Sequence, residues 1–539
     1  MNIRKILVVT LVLVLALSVF AVGCKAAPKL AEQQVLRMNI GTEPPQLNST
    51  ISTDVVSFDV LRHTVEGLTI LDANDKPIPG MAEKWTTSAD GLTWTFTLRD
   101  ATWSDGTKVT AHDFEFGWKT LLNPDTASEY AYFAYFIKGA QAYNAGTGSA
   151  ADVGVKATDD KTLVVTLSQP IGYFLDACAF AVMDPVPQTF YEKIGAANYG
   201  AEAANLLYNG PFTVSAWTHE QNITLTKNPN YWDAKDVYLQ TVSMDMITDT
   251  QAAFTKFLAG DYDLTGLASS DYIKQSEAAG FTTKNFSDGS TFYLEFNLKD
   301  PSMANQKIRT AITYALDRQN YIDKIVKDKS QPALAFVNPE IKGSVAGKSY
   351  RDEVGNLIKD NQTTAAQDLF KQGLAELGVS TISVSIISDD SDLAIQRASA
   401  LAESLTKNLG IEIKVDSMPF KSRLQKMTDK DFQIVYAGWG PDYNDPMTFL
   451  DMFETGNGNN HTSYSSAAYD ALLASARTET NTAKRYALYK QMETTLMTDL
   501  PICPIFYRIR SYTTIDSLKG IARSAFQDIN FRNAYVEAS

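Results

Sequence analysis

The most restrictive part of the sequence is a strand, helix and strand pattern between residues 381 and 415. Apolar residues alternate with polar ones over 381–386 and again over 411–415, which is the two-residue period of a half-buried strand. Between them, apolar residues recur at helical spacing over 394–409, and Gly410 follows as a C-terminal stop. This order predicts a parallel pair of strands with a right-handed crossover, and therefore an α/β fold.

A loop rich in glycine, proline and aromatic residues follows the next predicted strand, 432–436. It covers residues 438–446, with the sequence Gly-Trp-Gly-Pro-Asp-Tyr-Asn-Asp-Pro. Ligands of open α/β sheets bind beyond the carboxyl ends of strands, so we expect Asp442 to meet a cation here. The alternative is a surface loop with an Asx turn at Asp442 and a packed Trp439.

The N-terminus predicts export. Two basic residues precede an apolar run over 6–22, which is short for a membrane span of ~20 apolar residues. A charged start, an apolar centre and small residues before a cleavage point indicate a signal peptide, 1–23. Cys24 resembles the acylated cysteine of a bacterial lipobox, so we expect a lipid anchor there and a tether over 24–35. The alternative is an ordinary signal peptide with a stray cysteine.

The composition indicates a large exported protein of two or three domains. Hydrophobic residues make up 45% of the sequence, which is enough for large cores. The chain of 539 residues is longer than one core usually holds. The net charge of −14 argues against nucleic acid as a partner, because phosphate binding needs clustered Lys and Arg. Beyond Cys24 there are only Cys178 and Cys503, so no disulfide framework carries the fold. We expect both to be buried free thiols, with a disulfide between them as the alternative.

The first half of the chain is predicted to be mostly β structure with intervening helices. A strand is expected over 92–98 after the Asp90-Gly91 turn, and Thr110 and Asp113 form a predicted capping box before a helix. Apolar residues at helical spacing over 308–325 predict an amphipathic helix that opens the second half.

Several motifs together resemble the large solute-binding proteins of ABC importers, the oligopeptide- and dipeptide-binding family. In chain order they are residues 82–85, 90–99, 103–106, 109–114, 209–212, 228–232, 296–297 and 311–318. They run through essentially all of the mature chain and are specific in combination. The resemblance implies a lipoprotein on the outer face of the cytoplasmic membrane that captures oligopeptides between two lobes. It would deliver them to a permease pair with ATPase subunits, as a monomer without cofactor, metal or catalytic residues.

The resemblance also implies the architecture. This is a periplasmic-binding-protein-like fold of class II, or cluster C, with two α/β lobes around a ligand cleft and an extra α+β domain. The expected division is 36–66, 186–290 and 507–539 for lobe I, 67–185 for the extra domain, and 291–506 for lobe II with the ligand loop 438–446.

Trp439 and Asp442 match a Trp-x-x-Asp pair of the oligopeptide binders, in which the aspartate receives the peptide's α-ammonium group. An enclosed ammonium group must be paired, because removing one partner of a buried ion pair costs about 3–5 kcal/mol. Gly438 and Gly440 match positions that offer backbone groups to the peptide, as an added strand would. Positions that flank the peptide in the family are matched by Tyr130, Val55 and Tyr507, each of which is equally well explained as a packing residue.

Two positions depart from the enteric oligopeptide binders. Those proteins have an arginine that helps to hold the peptide's C-terminal carboxylate where this chain has Tyr436. They also have a ligand-facing glutamate where this chain has Thr53. We therefore expect the peptide amine to be bound, and leave the preferred peptide length open. A longer peptide whose C-terminus reaches solvent would fit a site that lacks the arginine.

Other functions explain the sequence less well. The histidines His63, His112, His219 and His461 are scattered without zinc-ligand spacing, and no Gly-x-Ser-x-Gly elbow occurs. An exported hydrolase with a carboxylate pair explains neither the lipobox nor the full-length resemblance. Within the transport role, a dipeptide, nickel, a sugar or an opine remain alternative cargoes, and a sensor of peptide signals remains an alternative role.

Overall fold

A computed structural model describes residues 29–538, so the predicted signal peptide, Cys24 and the start of the tether lie outside the described residues. In chain order its strands are β1 Val35–Asn39, β2 Thr69–Leu71, β3 Pro77–Pro79, β4 Ala82–Thr87, β5 Thr93–Leu98, β6 Val155–Asp159, β7 Thr162–Thr166, β8 Phe212–Thr218, β9 Asn222–Lys227, β10 Thr241–Asp245, β11 Leu264–Leu267, β12 Lys284–Phe296, β13 Gln331–Pro332, β14 Ser383–Asp389, β15 Glu412–Met418, β16 Ile434–Trp439, β17 Ile502–Thr514, β18 Leu518–Lys519 and β19 Tyr535–Val536.

The α-helices lie between and around these strands. They are Val55–Thr64, Ala111–Leu122, Ala140–Asn144, Phe174–Ala177, Gln188–Ile194, Thr250–Leu258, Ser270–Ala278, Pro301–Ala304, Gln306–Tyr314, Arg318–Tyr321, Tyr350–Val354, Thr363–Leu377, Asp392–Leu409, Phe420–Thr428, Met447–Leu450, Ala467–Thr478 and Thr482–Asp499. Within the described part of the chain, none is long and apolar enough to cross a membrane.

Two helix predictions have different outcomes. The capping box is confirmed, because Thr110 and Asp113 cap the helix Ala111–Leu122 reciprocally. The prediction of a single helix over 308–325 is wrong. One helix covers Gln306–Tyr314, and a second helix, Arg318–Tyr321, follows and continues as a π-helix. The break has a local cause, since the Asp317 side chain accepts a hydrogen bond from the backbone N–H of Asn320 and caps the second helix.

A four-stranded antiparallel sheet, β4-β5-β7-β6, forms the centre of the predicted extra domain. The helix Ala111–Leu122 packs on it, and fully buried aromatic side chains fill the space between them. A second four-stranded sheet, β1-β10-β9-β8, joins the start of the described chain to residues 212–245. Helix and antiparallel sheet in one body agree with the expected α+β character.

The largest sheet is mixed and has the order β11-β17-β12-β16-β14-β15, with β13 paired to β17. The parallel pair predicted over 381–415 is confirmed, because β14 and β15 are parallel and in register along their whole length. The helix Asp392–Leu409 connects them and ends at Gly410, whose φ of 71° is the left-handed conformation that favours glycine. Both faces of this sheet pack on buried apolar side chains.

The strand expected over 432–436 begins later and extends further than the sequence pattern indicates. β16 continues through Trp439, so Gly438 and Trp439 lie within the strand rather than after it. The reason is pairing across the sheet, since β12 is in antiparallel register with β16 up to the pair Thr291 and Trp439. Glycine weakens a strand by itself, but a paired neighbour compensates for it.

Two long strands, β12 and β17, cross the lobe limits expected at 290/291 and 506/507. They pair with each other along both halves, with a register shift between Ser287 and Thr291. The C-terminal half of β17 pairs with β11 on one side and with the N-terminal half of β12 on the other. The C-terminal half of β12 pairs with β16. The limits between the lobes therefore fall inside continuous strands, and the division itself stays a prediction.

The two cysteines of the described chain are both buried and free. The expectation of buried thiols is thus confirmed and the alternative disulfide is not formed. Burial raises the pKa of the Cys178 thiol well above its ordinary value, which keeps it in the unreactive form.

Candidate ligand-binding site

The loop after β16 is held in place by Thr448. The backbone N–H of Asp442 donates to Thr448 Oγ1 (3.0 Å), and Trp439 Nε1 donates to the carbonyl oxygen of Thr448 (2.9 Å). The Asp442 carboxylate accepts a hydrogen bond from the Tyr130 hydroxyl (3.3 Å), a residue of the predicted extra domain. The Asx turn considered for Asp442 is therefore not the arrangement found, since its side chain is directed to another part of the molecule.

Aromatic rings surround this carboxylate. The Tyr130 ring lies nearly parallel to that of Trp439, with centroids 6.1 Å apart. Tyr443 stacks on Tyr173 with centroids 4.3 Å apart and meets the edge of Phe133 at 5.5 Å. Low-polarity walls of this kind strengthen electrostatic interactions inside them.

The carboxyl groups of this pocket are not balanced by basic side chains. Burial, and then repulsion from Asp451, raise the pKa of Asp442 well above its usual range. Burial raises the pKa of Asp451 to about 8, with Arg477 opposing the rise and Glu454 adding to it. Asp451 Oδ1 has no hydrogen-bond partner within the described chain. The two carboxyl groups, which we call the acid pair, are therefore poorly solvated and a cation between them would favour their ionised forms.

Nearby arginines do not neutralise the acid pair. Arg477 donates to Glu454 (2.8 Å), and Arg485 lies 3.7 Å from Asp445. The Tyr443 hydroxyl is the donor to Asp451, at 3.4 Å. Because these cations are committed to other carboxylates, the pocket is suited to a cation that comes with a ligand.

The edge of β16 beside this pocket is open. β16 pairs with β12 from Ile434 to Trp439, but with β14 only at Ile434 and Val435. Gly438 is exposed, although the preceding residues of the strand are buried. An added Cβ on Gly438 would lie 2.9 Å from the Phe292 ring. Unpaired backbone groups along a strand edge are a template for an added strand, which here would end near Asp442.

The remaining predicted site residues lie around this centre. Val55 is the first residue of the helix Val55–Thr64 and is 44% exposed, and Phe58 of the same helix contacts the Tyr130 ring at 5.8 Å. Tyr507 lies two strands from Trp439, since both are in register with Thr291. Its hydroxyl donates to the carbonyl oxygen of Ala335 at 3.0 Å. The structure thus brings Tyr130, Trp439 and Asp442 into direct contact and leaves Tyr507 with a backbone partner.

Sequence reasoning did not find Asp451. It lies in a 3-10 turn, Asp451–Phe453, outside the glycine-rich loop that drew attention to Asp442. No local pattern marks it, because its environment is set by Tyr443 and by distant aromatic residues. Within residues 29–538, no group of three or more His, Cys, Asp or Glu side chains is arranged to hold a metal ion.

Contacts also join the predicted extra domain to lobe II beyond the pocket. The Glu129 carboxylate accepts from Thr428 Oγ1 (2.6 Å) and lies 3.3 Å from His461 Nε2. The Tyr132 hydroxyl accepts from Asn459 Nδ2 at 3.3 Å. The pocket therefore lies at an interface between parts of the chain that are far apart in sequence.

This combination of a two-lobed α/β fold with an unpaired acidic pocket at an open strand edge defines a binding protein. Residues 76–461 match the middle region of the bacterial extracellular solute-binding proteins, family 5, and the chain belongs to this family. The oligopeptide-binding protein OppA of Bacillus subtilis is 37% identical, over 98% of this chain and 99% of that protein.

Solved structures give the same fold. A substrate-binding domain of an oligopeptide ABC transporter from Bacillus anthracis matches with a TM-score of 0.90 at 34% identity, over 95% of this chain and all of that one. OppA of Listeria monocytogenes bound to peptide matches with 0.89 at 34% identity, over 94% of this chain and 99% of that one. The predicted fold class is thereby confirmed.

The comparisons also indicate the conformation. The murein tripeptide binding protein MppA of Escherichia coli matches with a TM-score of 0.86 in one structure, whereas MppA in its unliganded open form matches with 0.61. Coverage of this chain is 95% in both cases. The present structure therefore differs from an open form and resembles the peptide-bound relative.

Proposed function

We propose that this protein captures oligopeptides between its two lobes and delivers them to the permease of an ABC importer. The observation that carries the proposal is the unpaired Asp442 carboxylate at the end of the open edge of β16. The peptide-bound state of the Listeria relative supports it, since that protein shares the fold over nearly its whole length.

In the proposed mode of binding, the peptide's α-ammonium group pairs with Asp442. Ionising Asp442 beside the buried Asp451 is unfavourable without a cation, so the ammonium group supplies the charge that the pocket lacks. The peptide backbone then pairs with the strand edge at Gly438 and Gly440. Main-chain pairing gives affinity without selecting side chains, which suits a protein that imports many sequences.

Closure over the peptide would follow from its contacts with both lobes. A ligand that binds two bodies at once favours the state in which they are together. The contacts of Glu129 with Thr428 and of Tyr132 with Asn459 join the two sides and are expected to form on closure. The closed form would then dock on a permease pair with ATPase subunits, and the protein would act as a monomer without a catalytic role.

Attachment to the membrane is part of the same proposal. Acylation of Cys24 after removal of 1–23 would hold the protein on the outer face of the cytoplasmic membrane, with 24–35 as a tether. Replacing Cys24 with serine should release the protein from the membrane fraction of cells. A variant that stays in that fraction would contradict the lipid anchor.

Native mass spectrometry of the purified protein tests the cargo. We expect bound masses that resolve, after denaturing release, into short peptides of mixed sequence with free amino termini. Release of a single sugar or a metal ion would contradict the proposal. A uniform single peptide would favour the sensor role over general import.

A further inference from the structure

Three arginines lie together beside the C-terminal half of β17. Arg508 and Arg510 are two residues apart on β17, so they share one face of the strand. The Arg523 guanidinium lies over the Tyr512 ring, 4.7 Å from its centroid, which continues the same row. We call Arg508, Arg510 and Arg523 the arginine wall.

Two members of the wall are paired and one is not. Arg508 Nε donates to Asp288 Oδ2 (2.6 Å), and Arg510 Nη1 donates to both oxygens of Asp528 (2.7 and 2.8 Å). Arg523 is held by stacking against Tyr512 and Phe286, and its Nε has no hydrogen-bond partner within the described residues. Arg523 is therefore the guanidinium that has donors to spare.

The charges near the wall leave a surplus of positive charge. Arg62 adjoins the wall residues, and the carboxyl groups that face these four arginines are Asp59, Asp288, Asp328 and Asp528, of which Asp328 also lies 3.9 Å from Arg397. Burial, and then repulsion from Asp528, raise the pKa of Asp59 well above its usual range, which favours its neutral form. At least one guanidinium charge thus lacks a counter-ion, in a chain whose net charge is −14.

The wall is partly exposed. The Arg510 side chain is 34% exposed and that of Arg508 is 25% exposed. Burial, and then repulsion from Arg510, lower the pKa of Arg523 to about 10, yet Arg523 keeps accessible surface. Arg523 is thus partly dehydrated and still accessible to a ligand.

The wall reaches the open strand edge through two short contacts. The Arg508 guanidinium lies 4.7 Å from the centre of the Phe292 ring, which is the ring that adjoins Gly438. Arg508 Nη2 donates to Ser290 Oγ at 3.4 Å, and that oxygen would lie 3.3 Å from a Cβ on Gly440. A peptide paired along this edge would therefore have side chains or its C-terminus beside the wall.

We propose that the arginine wall is a second anchor, which binds a carboxylate carried by the peptide, with Arg523 as the principal donor. The inference rests on the proposed function. Guanidinium groups bind carboxylates through paired N–H donors of fixed geometry, and such hydrogen bonds are stronger than neutral ones. The protein would thus prefer peptides whose carboxylate lies at one particular distance from the amine, either on a side chain or at the C-terminus.

Isothermal titration calorimetry with matched peptides tests the wall. Alanine tetrapeptides with Glu or Gln at position 2, 3 or 4, each with a free or an amidated C-terminus, are titrated into the protein freed of bound peptide. We expect at least one carboxylate to improve affinity about tenfold over its neutral match, as for a hydrogen bond to a charged group. In Arg523→Gln this preference should vanish.

The controls separate the outcomes. Lys484→Gln removes the same charge from an exposed side chain and should keep the preference. Arg523→Lys should keep part of it, and the unfolding temperature verifies that each variant folds. A preference for Glu over Gln that survives amidation of the C-terminus shows that the wall binds side chains. A carboxylate preference that is lost on amidation shows that the wall binds the C-terminus. Binding of neutral peptides with no carboxylate preference, or a preference unchanged in Arg523→Gln, would overturn the wall and leave the proposed function intact. Failure of every peptide to bind would overturn both.

Discussion

The acid pair and the arginine wall are both groups of charged side chains near the open edge of β16, but they are balanced differently. Asp442 and Asp451 have hydroxyl donors and no arginine of their own. Most of the wall is neutralised within the protein, by Asp288 and Asp528. A buried charge that the protein does not neutralise is unfavourable unless a ligand completes it. The difference therefore separates the charges that we propose to bind a ligand, Asp442 and Arg523, from charges that are paired within the protein.

The largest effect is expected at Asp442. Asp442→Asn removes the anion but keeps the shape, so affinity for peptides with a free amine should fall at least tenfold, and by more than about a hundredfold if the pair contributes the full ~3–5 kcal/mol of a buried ion pair. N-acetylated peptides should bind the unchanged protein as weakly as free peptides bind the variant. Calorimetry measures both, with the exposed Asp390→Asn as control. Equal affinity of the unchanged protein for acetylated and free peptides would refute the amine role.

A smaller effect, on stability, is expected within the wall. Arg508→Gln removes the guanidinium that pairs with the buried Asp288 carboxylate, which then keeps the backbone N–H of Ser290 and the more distant Arg510, so the free energy of unfolding should fall by about 3 kcal/mol. Arg523→Gln breaks no ion pair and should change it by less than about 0.5 kcal/mol. Urea unfolding of both variants measures the contrast. Similar losses in the two would show that Arg523 also supports the fold.

The acid pair should make the ligand-free protein less stable as pH rises. A carboxyl group whose folded pKa is raised binds its proton more tightly in the folded state, so its stabilising effect is complete below pH 4 and is lost as pH rises toward 8. Asp451→Asn removes the part of this dependence that belongs to Asp451, and the advantage of the variant over the unchanged protein should grow by about 1 kcal/mol per pH unit between pH 5 and 7. Unfolding curves at each pH test this, and parallel curves for the two proteins would contradict it.

The smallest effect is expected at Tyr130. Tyr130→Phe removes a hydroxyl that donates to Asp442. One such hydrogen bond contributes about 1 kcal/mol, so the affinity for peptides should fall by a few-fold. Tyr135→Phe is the matched control, because its hydroxyl donates to Asn144 in another part of the same domain. An unchanged affinity in Tyr130→Phe would place the ammonium group away from the Tyr130 side of the pocket.

Much of the fold follows from local sequence patterns. The alternation over 381–386 and 411–415, with the helix and Gly410 between, predicts the parallel pair that the structure contains. The same reasoning fails at 308–325, where apolar spacing continues through a break that Asp317 creates by capping a new helix. Periodicity reports which face is buried, and it does not report where hydrogen bonds to the side chains interrupt the helix.

The site was predicted in part for the same reason. Asp442 was found because its neighbours in sequence are glycines, prolines and aromatic residues, which is a local signal. Asp451 and Arg523 carry no such signal. What distinguishes them is that Asp451 Oδ1 and Arg523 Nε have no hydrogen-bond partner within the described residues. Missing partners are visible only when every neighbour in space is known.

The sequence by itself determined the α/β class and the family, and it predicted Asp442 as the partner of the ligand's amine, because these depend on periodicity and on motifs of adjacent residues. Only the tertiary structure decided which charges are free. Coulomb energy depends on distance in space and on burial, and the pairing of Arg508 with Asp288 joins residues more than two hundred positions apart. The length of β16 was decided in the same way, by the register of β12 rather than by its own glycines.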